Sequence, residues 1–139
     1  MNKDKVFLDS DVILDLLTER KPYFEPSLEL FLLIQKKTVL AFTSPVVIAN
    51  MFYILSRHFN KDKAIRSLTK IKKLVKVLNC GDDEIERALS SDFKDFEDAI
   101  QYFTALTHEM DIILTRNVKD YKMAKINVST PLEYVNTLN

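Results

Sequence analysis

Apolar and polar positions along the chain follow two periods in alternation. Val6, Phe7 and Leu8 form an unbroken apolar run that ends at Asp9. Such a run predicts a strand buried on both faces. "SDVILDLLTER" then changes to helical spacing through Val12, Leu16 and Glu19, and Pro22 and Pro26 punctuate the chain after it. "PSLELFLLIQKK" predicts a second helix with Leu28, Phe31, Leu32 and Gln35 as its stripe. "TVLAFT" is a short β-like run. "SPVVIANMFYILSR" predicts a helix with Ser44 as N-cap and Pro45 at the first helical position, where its fixed φ and missing N–H are tolerated. Asn60 caps a further helix reaching about Lys73, and "KLVKVLN" reads as another strand. Residues 82–90 form an acidic amphipathic helix. "DFEDAIQYFTALTHE" puts Phe96, Ile100, Phe103 and Leu106 on one helical face. "IILT" is a fourth strand, "INVST" a short fifth, and "TPLEYV" closes the chain with Thr130, Pro131 and Glu133 in capping-box spacing.

Strands alternating with helices predict an α/β domain around a mostly parallel sheet. The 139 residues fit one domain, 1–139, and show no repeat or linker. Ligands of such sheets bind beyond the carboxyl ends of the strands. Asp9 ends the first strand, and Thr115, Arg116 and Asn117 follow the fourth, so these residues are expected on one edge.

Composition narrows the chemistry. Lysine plus arginine and aspartate plus glutamate each number 20, so net charge does not announce a nucleic-acid binder. The charges are segregated, basic over residues 61–76 and acidic over 82–98. Gly81 is the sole glycine, which excludes phosphate-cradling P-loops and dinucleotide fingerprints. Cys80 is the sole cysteine, so no intrachain disulfide forms and a reducing, cytoplasmic setting is expected. The start lacks an apolar signal core, and no run approaches the ~18 apolar residues of a membrane span.

The carboxylates carry the candidate chemistry. Asp9 is led into by an apolar strand. Asp95 and Asp98 lie three residues apart on one helix, at the margin of its apolar face. Two carboxylates at ~4 Å repel by about 4 kcal/mol at an effective dielectric of 20. A hard divalent cation such as Mg²⁺ or Mn²⁺ relieves that repulsion and leaves positions for water and phosphate. Zinc is disfavoured, since His58 and His108 have no ligand spacing. Asp11 and Asp15 have a plainer reading as first-turn and solvent-face residues of a helix, and Asp95 with Glu97 as a solvated charge run. Lys63, Arg66, Lys70 and Lys73 approach one stripe, which reads first as a solvated face and second as a track for an RNA backbone.

In order, "FLDSDVILDLL", "DFKDFEDAIQYFTAL", "ILTRNVKDY" and "STPLEYV" resemble the PIN-domain family, most of all its VapC-like toxins. The resemblance spans essentially the whole chain. It implies a three-layer α/β/α fold and an Mg²⁺- or Mn²⁺-dependent endoribonuclease. It also implies an antitoxin whose tail covers the acidic pocket, and a homodimer. Asp9 matches the family's first metal-binding aspartate and Asp98 the aspartate of the later helix. Asn117 takes a position that is often aspartate, with Asp120 as a nearby supporting acid; Asp9, Asp98 and Asn117 are thus the expected catalytic set. Asn50 stands where the helix after the second strand normally supplies a glutamate, which removes one negative charge. Asp95 is expected to compensate as a further ligand. Asp11 falls where many relatives have asparagine. Ser10, Thr115 and Arg116 are expected to line the substrate pocket.

Two other readings remain open at this point. "VFLDSDVI" also resembles the first motif of haloacid-dehalogenase-type phosphatases, with Asp9 as nucleophile and Asp11 as acid/base. The substitution at Asn50 allows a catalytically weak domain that binds RNA or a protein partner.

Overall fold

The computed structural model describes residues 3–121 and 124–138. Within them the chain runs β1 (Lys5–Leu8), α1 (Ser10–Leu17), α2 (Phe24–Gln35), β2 (Leu40–Thr43), α3 (Pro45–His58), α4 (Lys61–Leu74), β3 (Val75–Val77), α5 (Asp82–Leu89), α6 (Phe96–Thr107), β4 (Ile112–Leu114), a 3-10 turn (Val118–Tyr121), β5 (Asn127–Ser129) and α7 (Pro131–Leu138). The strands form one sheet in the order β3-β2-β1-β4-β5, and every pairing is parallel. The fold is the expected α/β/α arrangement. Val6 and Leu8 point into a core built with α1, α2, α3, α4 and α7, while Phe7 points into a second core built with α6. Ala99 and Ile100 of α6 join Ala88 of α5 in a third cluster. Both faces of β1 are therefore covered, which is why its apolar run is continuous. Among the described residues no helix is long and apolar enough to cross a membrane.

The sheet order reverses at β1, since β2 lies on one side and β4 on the other. Parallel sheets open a crevice at such a point, beyond the carboxyl ends of the strands. The ladder is extended there by the Asp9 N–H donating to the Leu114 carbonyl at 3.0 Å.

Several boundaries differ from the sequence reading, each for a local reason. α1 stops at Leu17 because Glu19 adopts φ 52°, outside helical space. α2 starts two residues before Pro26, which occupies the first turn, where no N–H is required. Its buried stripe is Ser27, Leu30, Phe31 and Ile34, one position away from the expected one, and Leu28 and Leu32 are exposed. On α6, Phe96 and Leu106 are likewise exposed, and the buried face runs through Ala99, Ile100, Tyr102 and Ala105. α4 passes straight into β3, so Lys73 and Leu74 are helical and not strand. The caps at Ser44 and Asn60 form as expected, accepting from the N–H groups of Val47 and Lys63.

Candidate active site

Asp9 is the N-cap of α1, and its Oδ1 accepts from the Ser10 N–H at 2.8 Å. Its Oδ2 accepts from the Thr115 hydroxyl and the Tyr121 phenol, each at 3.1 Å. The carboxyl is buried between β1 and β4. Burial raises its pKa, the three hydrogen bonds oppose the rise, and the charge of Asp95 adds to it. Ser10 contributes its backbone N–H here and lines a shallow depression with Asp11, Ile54 and His58.

Thr115 is fully buried and links two carboxylates. Its Oγ1 lies 3.2 Å from Asp11 Oδ2 as well as 3.1 Å from Asp9 Oδ2, and it accepts from the Asn117 N–H at 3.1 Å. Asp11 Oδ2 also accepts from the Arg116 N–H at 3.1 Å and from Asn117 Nδ2 at 3.2 Å. Asp11 is a first-turn residue of α1, as expected, but it also fixes the loop after β4. Burial and then the neighbouring Asp9 push its pKa up to about 6, against the pull of Arg116. Asn117 is exposed, and its amide faces Asp11.

One expectation is corrected here. Asp15 does not face solvent: it is 1% exposed and pairs with Arg116. Its partner Arg116 donates Nε at 2.8 Å and Nη2 at 3.2 Å to that carboxylate, its guanidinium carbon lies 4.4 Å from the centre of the Tyr23 ring, and it lines a pocket with Tyr23 and Ser27. The pair joins residues 101 positions apart, so no local pattern announces it.

Asp98 sits in the first turn of α6. Burial, followed by the charges of Asp9, Asp95, Asp120 and Glu97, pushes its pKa up to about 7. The strand-end aspartate and the helix aspartate thus share one electrostatic environment. Asp95 is the N-cap of α6 and accepts from the Asp98 N–H at 3.0 Å through Oδ1. Its Oδ1 thus caps the helix, and the residue also lines the cleft that Asp98 and Asp120 line. Asp95, Asp98 and Asp120 line a cleft of about 350 Å³ together with Phe93, Lys94 and Lys119. The sequence reading passed over those two lysines and Tyr121. Only the shape of the 3-10 turn brings Tyr121 and Lys119 to this edge.

Asn50 lies on α3 one turn from Val46, which packs on the Ala88–Ala99–Ile100 cluster, and one turn from Ile54, which lies beside Asp11. It is half-buried. No hydrogen bond engages its side chain among the described residues.

Among the described residues no three histidine, cysteine, aspartate or glutamate side chains gather closely enough to hold a metal ion. The donor set is instead Asp9, buried at the end of β1, and Asp98, whose pKa the charge of Asp9 helps to raise, with Asp95 and Asp120 lining the same cleft as Asp98. That set suits Mg²⁺ or Mn²⁺, since Mg²⁺ commonly binds through one or two carboxylates and keeps waters for phosphate to replace. The buried carboxylate of Asp9 and the strained ionisation of Asp98 are what a cation would relieve.

Comparison with known proteins agrees with this geometry. The family model described as "PIN domain" matches residues 5–119. The curated protein "Ribonuclease VapC1" of Aquifex aeolicus is 29% identical, over 100% of this chain and 99% of its own length. The structure of VapBC2 from Rickettsia felis bound to a promoter DNA fragment superposes with a TM-score of 0.69 at 14% identity, covering 91% of this chain and 98% of that one. A toxin–antitoxin complex from Klebsiella pneumoniae gives a TM-score of 0.66 at 19% identity, covering 91% and 97%. At those identities the two structural likenesses are of fold.

Proposed function

Since the chain belongs to the PIN-domain family, we propose that it is a divalent-cation-dependent endoribonuclease and the toxin of a toxin–antitoxin pair. The observation that carries this reading is the buried carboxylate of Asp9 at the switch point of the sheet, bonded by Thr115 and Tyr121, with Asp98 in the cleft beside the 3-10 turn that carries Tyr121. The relative named as a ribonuclease and the neighbour that is a toxin–antitoxin complex support it. The PIN-domain match also displaces the dehalogenase-type alternative.

Asp9 and Asp98 would hold Mg²⁺ or Mn²⁺, with Asn50, Asp95 and Asp120 contributing through water. The bound cation would supply Lewis-acid stabilisation of the charge that develops on the phosphodiester oxygens and would ease deprotonation of the attacking water. Thr115 and Tyr121 orient Asp9 by donating to the same oxygen. Asn117 braces Asp11 and keeps an amide oxygen free to meet a water or a ribose hydroxyl. Lys94 and Lys119 on the cleft rim attract and orient the RNA phosphates. An antitoxin segment covering this cleft, and pairing of two chains, complete the proposal.

The test is cleavage of total RNA with Mg²⁺ or Mn²⁺, with chelator, and by the Asp9→Asn and Asp98→Asn variants. Cleavage that needs the ion and is lost in both variants is expected. Activity surviving both substitutions would remove the assignment. A second reading follows from Asn50, which stands where the resemblance to the family implies a glutamate. On that reading the domain binds RNA weakly or a protein through the same cleft, and the wild type leaves RNA intact across the whole metal titration.

A further inference from the structure

We infer that a pocket between α2, α7 and the loop after β4 is a base-reading subsite for single-stranded RNA, with Ser27 and Arg116 in its lining. The inference rests on the ribonuclease reading and deepens it. The pocket holds about 240 Å³, and its lining includes Asp15, Pro22, Tyr23, Ser27, Arg116 and Leu132. Drug-sized sites occupy roughly 300–1,000 Å³, so this one suits a single flat ring system. Prolines, Tyr23 and Leu132 give it an apolar part, and the Asp15–Arg116 pair with Ser27 a polar one. The Arg116 guanidinium lies over the Tyr23 ring at 4.4 Å, a platform of the kind on which unpaired bases stack.

Ser27 is the second, independent observation. It is 1% exposed, and its hydroxyl oxygen has no hydrogen-bond partner among the described residues. Its own N–H already takes the Tyr23 carbonyl at 3.2 Å. Buried hydroxyls are normally paired, and a ligand atom in the pocket would supply the missing partner. Arg116 adds donors. Of the five N–H groups of a guanidinium, those on Nε and Nη2 engage Asp15, which leaves others for a ligand. A donor-rich wall favours a base that presents adjacent acceptors, and guanine with O6 and N7 is the best match.

Position ties the pocket to the chemistry. The backbone N–H of Arg116 bonds Asp11, and the preceding Thr115 hydroxyl bonds Asp9. A base seated here therefore belongs to a nucleotide close to the phosphate held at Asp9 and Asp98. The prolines and Tyr23 could also suit a proline-rich peptide, but a prolyl ring offers no acceptor to Ser27 or Arg116.

The experiment titrates the intact wild-type chain, with chelator present to stop cleavage, with GMP, AMP, CMP and UMP, a short single-stranded RNA carrying one G, and a polyproline peptide. Binding is followed by calorimetry. GMP and the G-containing RNA should bind tightest. Ser27→Ala should weaken them about fivefold, the worth of one net hydrogen bond, without lowering the thermal midpoint, since the hydroxyl has no partner to lose. Leu132→Glu, an exposed change at the pocket mouth, should also weaken both. Equal binding of all four nucleotides, GMP affinity unmoved by Ser27→Ala, or saturation by polyproline without nucleotide binding would overturn the inference. Guanine-selective binding by a protein that leaves RNA intact with Mg²⁺ would keep the subsite and sink the ribonuclease reading. Cleavage without base selectivity would do the reverse.

Discussion

Arg116 grips Asp15 with two nitrogens, Nε at 2.8 Å from Oδ2 and Nη2 at 3.2 Å from Oδ1. The aspartate belongs to α1 and the arginine to the loop after β4. One turn earlier on α1, Asp11 takes the backbone N–H of the same arginine. α1 thus holds this loop at two points, and the loop in turn delivers Thr115 to Asp9. Removing one partner of a buried pair strands the other, which costs about 3–5 kcal/mol. Arg116→Met should lower unfolding free energy by about 3 kcal/mol, measured by urea denaturation. Asp15→Asn combined with Arg116→Met should cost less than the sum of the single changes, because the stranded charge is gone.

Tyr121 donates to the same Asp9 oxygen as Thr115. Groups that orient a metal-binding carboxylate typically matter 10–100-fold for affinity. Tyr121→Phe should leave the fold intact and weaken Mn²⁺ binding about tenfold, read by calorimetry. Unchanged affinity would mean that Thr115 alone sets the orientation of Asp9.

The raised pKa of Asp98 has a sign that can be checked. In the folded chain this carboxyl keeps its proton up to about 7, whereas its ordinary value is 3.8. Between those values the folded state binds more protons than the unfolded state, so stability falls as pH rises. The contribution is complete below pH ~4 and lost by pH ~7. In chelator, the thermal midpoint of Asp98→Asn minus that of the wild type should widen from pH 4 to 7 and then level. Added Mg²⁺ should narrow the gap at the upper end. A gap independent of pH would show that Asp98 titrates normally.

Asn50 is a half-buried residue of α3 whose side chain makes no hydrogen bond among the described residues. Restoring a carboxylate there should complete a third anionic donor beside Asp9 and Asp98. Asn50→Glu is expected to tighten Mn²⁺ binding in calorimetry, and unchanged or weaker binding would place residue 50 outside the ion's reach.

The strand-end position of Asp9 was legible because an apolar strand buried on both faces leads directly into it. Ser44 and Asn60 were legible because capping is local, decided by one side chain and an N–H three residues on. The buried stripe of α2 was misplaced by one residue because Leu28, Leu30, Phe31, Leu32, Leu33 and Ile34 make nearly every position apolar, so periodicity cannot select a face. It also hid Ser27, a polar residue on the buried side. Asp15 read as a solvent-facing acid because the partner that justifies its burial arrives from the far end of the chain.

The most direct test is the number and position of bound ions. Mn²⁺ titrated into the metal-free wild type should show one site per chain, and that site should be lost separately in Asp9→Asn and in Asp98→Asn while both variants stay folded. Mn²⁺ bound undiminished by either variant would contradict the account, because the two aspartates would then not share an ion.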